Sequence, residues 1–138
     1  MADIKYQEYF IREPIEIGKF APCLRYTSDF ENTSFAIRWH YVTEPWLMEE
    51  EPHAHDFDQF TCFLGGNPKD IRDFGAEVEL YLGEEGVRHL ITTTTIVHIP
   101  RGLIHCPLNF KKIDRPIMFI NVPLTSRYVK KEIASSQT

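Results

Sequence analysis

The chain has few cysteines, no excess of basic residues and no long apolar run. Its three cysteines, Cys23, Cys62 and Cys106, form no CxxC pair, and the odd count argues against a secreted disulfide framework. The net charge of −5 disfavours nucleic-acid or membrane-surface binding, because such binding depends on basic surface. No run approaches the roughly 18 apolar residues of a membrane span. The charged N-terminus has no apolar signal core, so we expect a cytoplasmic protein.

Helical periodicity is also nearly absent. Short runs rich in β-branched and aromatic residues are separated by Gly, Pro, Asn and Asp, a pattern typical of an all-β sandwich or barrel. The 138 residues are enough for one domain with a real core. Strands are predicted at Pro22–Phe30, Ser34–Val42, Phe57–Leu64, Ala76–Gly83, Val87–Thr93, Ile96–Ile99, Ile104–Phe110 and Pro116–Pro123.

The ends and turns of this single domain are predicted as well. Residues 1–21 form an N-terminal arm, residues 22–124 the barrel, and residues 125–138 a polar tail that begins, as one alternative, with a short helix. Segment 65–75 is predicted to be a turn-rich excursion with one short helical turn at most. Segment 83–86, Gly-Glu-Glu-Gly, predicts a hairpin turn.

Two segments carry candidate ligands. The first is His53-Ala-His55-Asp-Phe57-Asp-Gln59, in which strand alternation would direct His53, His55, Phe57 and Gln59 to one face. The second, about fifty residues later, supplies His105 just after a Pro-x-Gly turn. Three neutral imidazoles and one oxygen donor that converge inside a small barrel predict a transition-metal site.

These segments resemble the two motifs of small single-domain cupins (cupin type 2, conserved-barrel superfamily). The first cupin motif is HxH, three residues, Glu, six residues, Gly; the matching residues here are His53, His55, Gln59 and Gly66. The second motif is PxGxxH, three residues, Asn; the matching residues here are Pro100, Gly102, His105 and Asn109. The sequence departs from the family at the acidic ligand, which is Gln59 here, and at two turn glycines.

The resemblance implies a jelly-roll β-barrel, commonly dimeric, that holds one divalent metal such as Fe, Mn, Zn or Ni. The implied ligands are His53, His55, Gln59 and His105. Gln59 ligates directly or holds a metal-bound water, and both alternatives remain open. An amide donor carries no charge, so the ion would keep its positive charge and favour anionic ligands.

Further candidates for the site come from strand faces. One face of Ser34–Val42 presents Arg38 and His40, so Arg38 is a candidate substrate contact and His40 a candidate proton carrier, with a solvated face as the alternative. Tyr81 is a second candidate proton carrier, and Phe57 would add an apolar wall that contacts substrate. Cys23 and Cys62 are interpreted as small buried hydrophobic residues. Cys106 adjoins a candidate ligand, which leaves a supporting or reactive thiol as a minor alternative.

The functional hypothesis is a metal-dependent enzyme that acts on a small anionic or oxygen-rich organic molecule, with dioxygenase, isomerase, lyase or decarboxylase chemistry. The alternative is a non-catalytic, metal-containing domain that binds or senses a small anion. A metal-free structural domain would leave three inward histidines without a role. We also expect a homodimer, because Phe57–Leu64 is apolar on both faces and the apolar residues of Ile4–Ile17 have no place in a minimal barrel.

Overall fold

The protein is built from short antiparallel strands. The computed structural model describes residues 5, 7–9, 11–17, 22–30 and 33–127. A short 3-10 helix, Gln7–Tyr9, precedes the first strand. The strands are β1 (Ile15–Ile17), β2 (Pro22–Phe30), β3 (Thr33–Val42), β4 (Trp46–Glu49), β5 (Gln59–Gly65), β6 (Asp73–Leu82), β7 (Val87–Thr93), β8 (Thr95–Ile99), β9 (His105–Ile113) and β10 (Ile117–Pro123).

Two sheets make the two layers of the barrel. One sheet has the strand order β1-β2-β3-β10-β5-β8, and the other has the order β4-β9-β6-β7. Every strand pair is antiparallel. Strand β6 shows how the layers face each other, since its buried and half-buried residues alternate from Asp73 to Tyr81. The prediction of an all-β jelly-roll barrel is confirmed.

The core is aromatic at its centre. Phe63 on β5, Phe110 on β9 and Phe119 on β10 are buried, and their ring centroids lie 5.3–6.2 Å apart. These edge-to-face and tilted contacts suit the quadrupoles of the rings. Burying each such side chain contributes about 1.5–3 kcal/mol relative to exposure. Because Phe63 and Phe119 also line the cavity described below, the core is the floor of the candidate site.

Most predicted strands agree closely with the structure. Pro22–Phe30 and Val87–Thr93 match at both ends, whereas the strand predicted from Phe57 begins at Gln59. Strands β1 and β4 were not predicted, because a three-residue and a four-residue run give too little alternation to recognise. No helix forms in segment 65–75. The side chains of Asn67 and Asp70 there accept hydrogen bonds from the backbone two residues ahead and make turns instead.

The arm and the tail are described only in part. Ile15–Ile17 in the arm pairs with β2 of the same chain, as the edge of the six-stranded sheet, and leaves Ile17 82% exposed. The helix predicted for the tail falls largely at residues 128–138, outside the described residues, and Thr125–Arg127 form a bend instead. The described segments contain no helix with the length and apolarity needed to cross a bilayer.

Candidate metal centre

A two-residue bridge between distant segments brings the first two candidate ligands together. The backbone N–H of His53 donates to the carbonyl of His105 at 3.0 Å, and the N–H of His105 donates to the carbonyl of His53 at 2.9 Å. Two residues that exchange both backbone hydrogen bonds form an antiparallel hydrogen-bonded pair. The side chains of such a pair point to the same face, so the imidazoles of His53 and His105 lie side by side. Their ring centroids lie 4.4 Å apart.

A turn before His105 holds the third histidine in place. Gly102 has a φ of 82°, and the N–H of Leu103 donates to the carbonyl of Pro100 at 3.1 Å. A positive φ at the third residue defines a type II turn and explains the glycine there. The N–H of Gly102 also donates to the carbonyl of His55 at 2.9 Å. The ring of His55 thereby lies 4.8 Å from that of His53 and 5.0 Å from that of His105.

Hydrogen bonds set the tautomers of two rings. Nδ1 of His53 lies 2.9 Å from the carbonyl of Glu51, and Nδ1 of His105 lies 2.9 Å from the carbonyl of Leu103. A carbonyl oxygen only accepts, so both Nδ1 atoms carry the proton and both Nε2 atoms present a lone pair. A metal-binding imidazole typically donates its other N–H to such an acceptor. Both rings are therefore in the tautomer that a metal requires.

The charge state of His105 also suits a ligand. Burial lowers the pKa of His105 to about 4, and the positive charges that His53 and His55 can carry act in the same direction. The hydrogen bond to Leu103 opposes this effect. At neutral pH the imidazole is thus uncharged and its lone pair is available.

A bulge in β9 brings Cys106 to the same cluster as His53 and His105. On β6, Leu80 pairs with Leu108 and Leu82 with His105, so two residues of β9 stand opposite one residue of β6. His105 and Cys106 are consequently both buried, although they are adjacent in the strand. The ligand atoms of His53, His105 and Cys106 lie within 4.8 Å of one another. Ligand atoms about 2.0–2.3 Å from one ion lie about 3.3–3.8 Å apart in a tetrahedral site, so this compact cluster is compatible with a metal site.

Gln59 completes the cluster from β5. Its Nε2 donates to Nε2 of His105 at 3.2 Å, while its Oε1 is buried and makes no hydrogen bond. Such a buried acceptor costs about 1–3 kcal/mol. A cation in the cluster would take the place of the Gln59 N–H on the lone pair of His105, and rotation of the amide would bring Oε1 toward the ion. The residues present therefore fit a metal, which would be held by His53, His105 and Cys106. His55 and Gln59 lie beside this group, and their ligation of the ion stays a prediction.

The cluster opens into a small cavity of about 50 Å³. Such a volume holds an ion with a few waters or a small carboxylate. One wall of the cavity is polar. Arg38 pairs with Asn121 across β3 and β10, and Asn121 pairs with Thr61 across β10 and β5, so the three form a row over neighbouring strands. Thr61 Oγ1 and Asn121 Oδ1 are buried and make no hydrogen bond. The remaining polar cavity residues are Glu49, His53, Gln59, His105 and Cys106.

The structure does not bring the two predicted proton carriers to this cavity. His40 shares the inner face of β3 with Arg38, but its ring packs between Trp46 and Phe119 at 5.9 and 5.8 Å, and burial lowers its pKa. Tyr81 follows the outward alternation of β6 and pairs with Arg88 on β7. Neither residue lines this cavity, and a role for either as a proton carrier stays a prediction.

Phe57 and Arg38 do lie beside the cluster. The ring of Phe57 is buried and stacks on His55, with centroids 4.7 Å apart and an interplanar angle of 21°. The segment that carries His55 and Phe57 is not a regular strand, since β5 begins at Gln59. Burial alternates from His55 to Gln59, as strand parity predicted, because Asp56 is exposed and Asp58 is half-buried. The alternation does not extend to His53, since the neighbouring Ala54 is also buried.

Sequence reasoning missed Glu49, Thr61 and Asn121, and gave Cys106 only a minor role. Thr61 lies two residues after Gln59, so strand alternation alone could have assigned it to the inner face. Asn121 occupies an inner position of β10, whose burial alternates along its length. Glu49 and Cys106 had no such pattern, because each lies at a bulge.

Comparisons with known proteins agree with this architecture. No protein-family model and no curated protein matches the sequence. A solved structure from Klebsiella pneumoniae subsp. pneumoniae MGH 78578, an uncharacterised conserved protein with a double-stranded β-helix domain, is similar at a TM-score of 0.51 and 12% identity, over 95% of this chain and 96% of that chain.

Two further structures are similar to this chain. A Photorhabdus luminescens protein has a TM-score of 0.47 and 14% identity, over 89% of this chain and 88% of that chain. A cupin superfamily protein from Desulfitobacterium hafniense DCB-2 has a TM-score of 0.42 and 10% identity, over 75% of this chain and 77% of that chain. The similarity to the Klebsiella pneumoniae structure shows a double-stranded β-helix, the fold of small cupins. This fold carries many chemistries, so activity has to be argued from the site.

Proposed function

We propose that this protein is a metal-dependent cupin that acts on a small anionic or oxygen-rich organic molecule. One observation carries the proposal: a cluster of imidazole and thiol ligands and a row of Arg38, Asn121 and Thr61 line the same small cavity. Metal ligands alone would suit a structural site. Arg38 and the buried oxygens of Thr61 and Asn121 instead suit the binding of a small molecule that contains carboxylate or hydroxyl oxygens.

Each side of the cavity would have its own part in binding. A divalent ion supplies Lewis-acid polarisation of a carbonyl or carboxylate oxygen. The guanidinium of Arg38 would pair with a carboxylate in a fixed orientation, because its N–H groups form a planar fork. Thr61 Oγ1 would donate a hydrogen bond, and Asn121 Oδ1 would accept one from a hydroxyl of the ligand. Phe57 would keep water from the His55 side of the cluster.

The reaction would be of the dioxygenase, isomerase, lyase or decarboxylase type. The half-buried carboxylate of Glu49, which lines the cavity, favours an enzyme because proton transfer needs such a group within reach. The second candidate function is a domain that binds or senses a small anion without chemistry. The positions of His40 and Tyr81 away from the cavity favour this alternative.

Metal content and anion binding test the proposal in order. Protein purified without added metal should carry about one transition-metal ion per chain, and His53→Ala should carry far less. Co²⁺-loaded protein should then change its visible absorption when small carboxylates are added. Arg38→Gln should weaken that response about tenfold, while the matched Arg88→Gln variant on the outer face should not. A protein that retains no ion would refute the proposal.

Turnover separates the two candidate functions. Oxygen consumption and product analysis should be followed with carboxylates, hydroxy acids and diketones that perturb the Co²⁺ spectrum. Conversion of any of them by metal-loaded protein, and loss of that conversion in His53→Ala, supports the enzyme. Tight binding of a carboxylate without conversion under aerobic and anaerobic conditions supports the binding domain.

A further inference from the structure

We propose that Glu49 is the carboxylate of the metal centre, which offsets the charge of the bound ion that the amide of Gln59 leaves in place. This inference rests on the proposed function, since it needs an ion in the cluster. It adds a residue that neither the metal-ligand cluster nor the sequence motifs include.

A β-bulge directs Glu49 toward the cavity. On β4, Leu47 pairs with Asn109, and Glu49 pairs with the next residue of β9, Leu108, so Met48 is the additional residue. Regular alternation would send Met48 and Glu49 to opposite faces. At this bulge both side chains line the cavity. The carboxylate is thus on the same side as His105, which belongs to the partner strand β9.

The charges in the cavity give Glu49 its role. The imidazoles and Gln59 bring no charge, and Arg38 brings a positive one. Even with Cys106 as a thiolate, a divalent ion beside Arg38 leaves a net positive charge in a buried place, which is costly. Glu49 is the only acidic side chain among the described residues that line the cavity. The carboxylate of Glu49 therefore supplies a negative charge that partly offsets the positive charge of the ion and Arg38.

Glu49 lines the cavity but stands apart from the ligand atoms. Glu49 is not in the cluster of ligand atoms that lie within 4.8 Å of one another. We therefore assign it to the shell around the ligands, where it acts on the ion through space or through a bound water.

Metal affinity, measured by competition with a chelator for Zn²⁺, tests the assignment. Glu49→Gln keeps the shape of the side chain and removes its charge, so affinity should fall by about tenfold or more. The matched control is Glu50→Gln, an exposed neighbour on the same segment, which should stay within about twofold of the original protein. Gln59→Glu, introduced into the Glu49→Gln protein, should restore affinity because it returns one negative charge to the cavity.

The outcomes separate the inference from the proposed function. Far-UV circular dichroism and thermal unfolding of the metal-free proteins establish that each variant folds, and Glu49→Ala provides a second charge-removing variant. If both Glu49 variants bind Zn²⁺ within about twofold of the original protein, while His53→Ala loses it, the role of Glu49 is overturned and the metal centre stands. If the original protein holds Zn²⁺ no better than His53→Ala, the proposed function itself is overturned.

Discussion

Acidification should destabilise the metal-free protein through His105. Burial lowers the pKa of this imidazole from 6.5 to about 4. Above the unfolded pKa the ring is neutral in both states, so stability there does not depend on pH. As the pH falls toward 4, the unfolded chain takes up a proton that the folded protein does not bind, and the folded state loses stability.

The size of this effect follows from the shift. A displacement of about 2.5 units corresponds to about 3 kcal/mol once the pH is below both pKa values. Between about pH 7 and about pH 5, the part lost is about 2 kcal/mol. That loss is a large fraction of the roughly 5–15 kcal/mol that stabilises a typical domain.

Urea unfolding at the two pH values measures the loss. The fluorescence of Trp39 and Trp46 reports unfolding, and a chelator keeps the protein free of metal. His105→Asn removes the titrating group, so its free energy of unfolding should fall by about 2 kcal/mol less between the two pH values than that of the original protein. His89→Asn, a change at an exposed histidine, is the matched control. Equal pH dependence in His105→Asn and the original protein would refute the argument.

Four further changes test other parts of the structure. Gln59→Glu should raise metal retention against a chelator and lower affinity for a probe carboxylate, and no change in either would place Gln59 away from the ion. Cys106→Ser should abolish a sulfur-to-metal charge-transfer band in the Co²⁺ protein; a persisting band would exclude this thiol as a ligand. Phe110→Ala should cost about 3–5 kcal/mol in urea unfolding, because the ring is fully buried; a cost below about 1 kcal/mol would contradict the core assignment. We also propose that the protein is a homodimer, which light scattering would measure. Removal of residues 1–21 should yield monomer or aggregate, and a stable truncated dimer would place the interface elsewhere.

Local patterns made much of the fold predictable. The runs Pro22–Phe30 and Val87–Thr93 are strands at the residues predicted. Runs of β-branched and aromatic residues bounded by turn residues favour strands through local propensity alone. The Pro100–Gly102 turn was equally readable, since only glycine takes a positive φ there at no steric cost. Short strands such as β1 lack enough residues to show a period, so they could not be recognised.

The candidate site divides in the same way. The sequence by itself determined that His53, His55 and His105 are inward imidazoles, because alternation and a turn fix their directions. Only the tertiary structure decided which neighbours they have. His40 lies on the inner face but packs against Trp46, away from the ligands. Position along the barrel depends on strands that are distant in the sequence, and local periodicity does not contain this information.

Bulges account for the residues that were missed. Glu49 and Cys106 both reach the cavity because an additional residue shifts the register of β4 against β9 and of β9 against β6. A one-residue shift moves a side chain to the opposite face of a sheet. The shift depends on the partner strand, which packs beside it only once the barrel has formed. The sequence determined the strands and three histidines, and the pairing of those strands decided which carboxylate and which thiol lie beside them.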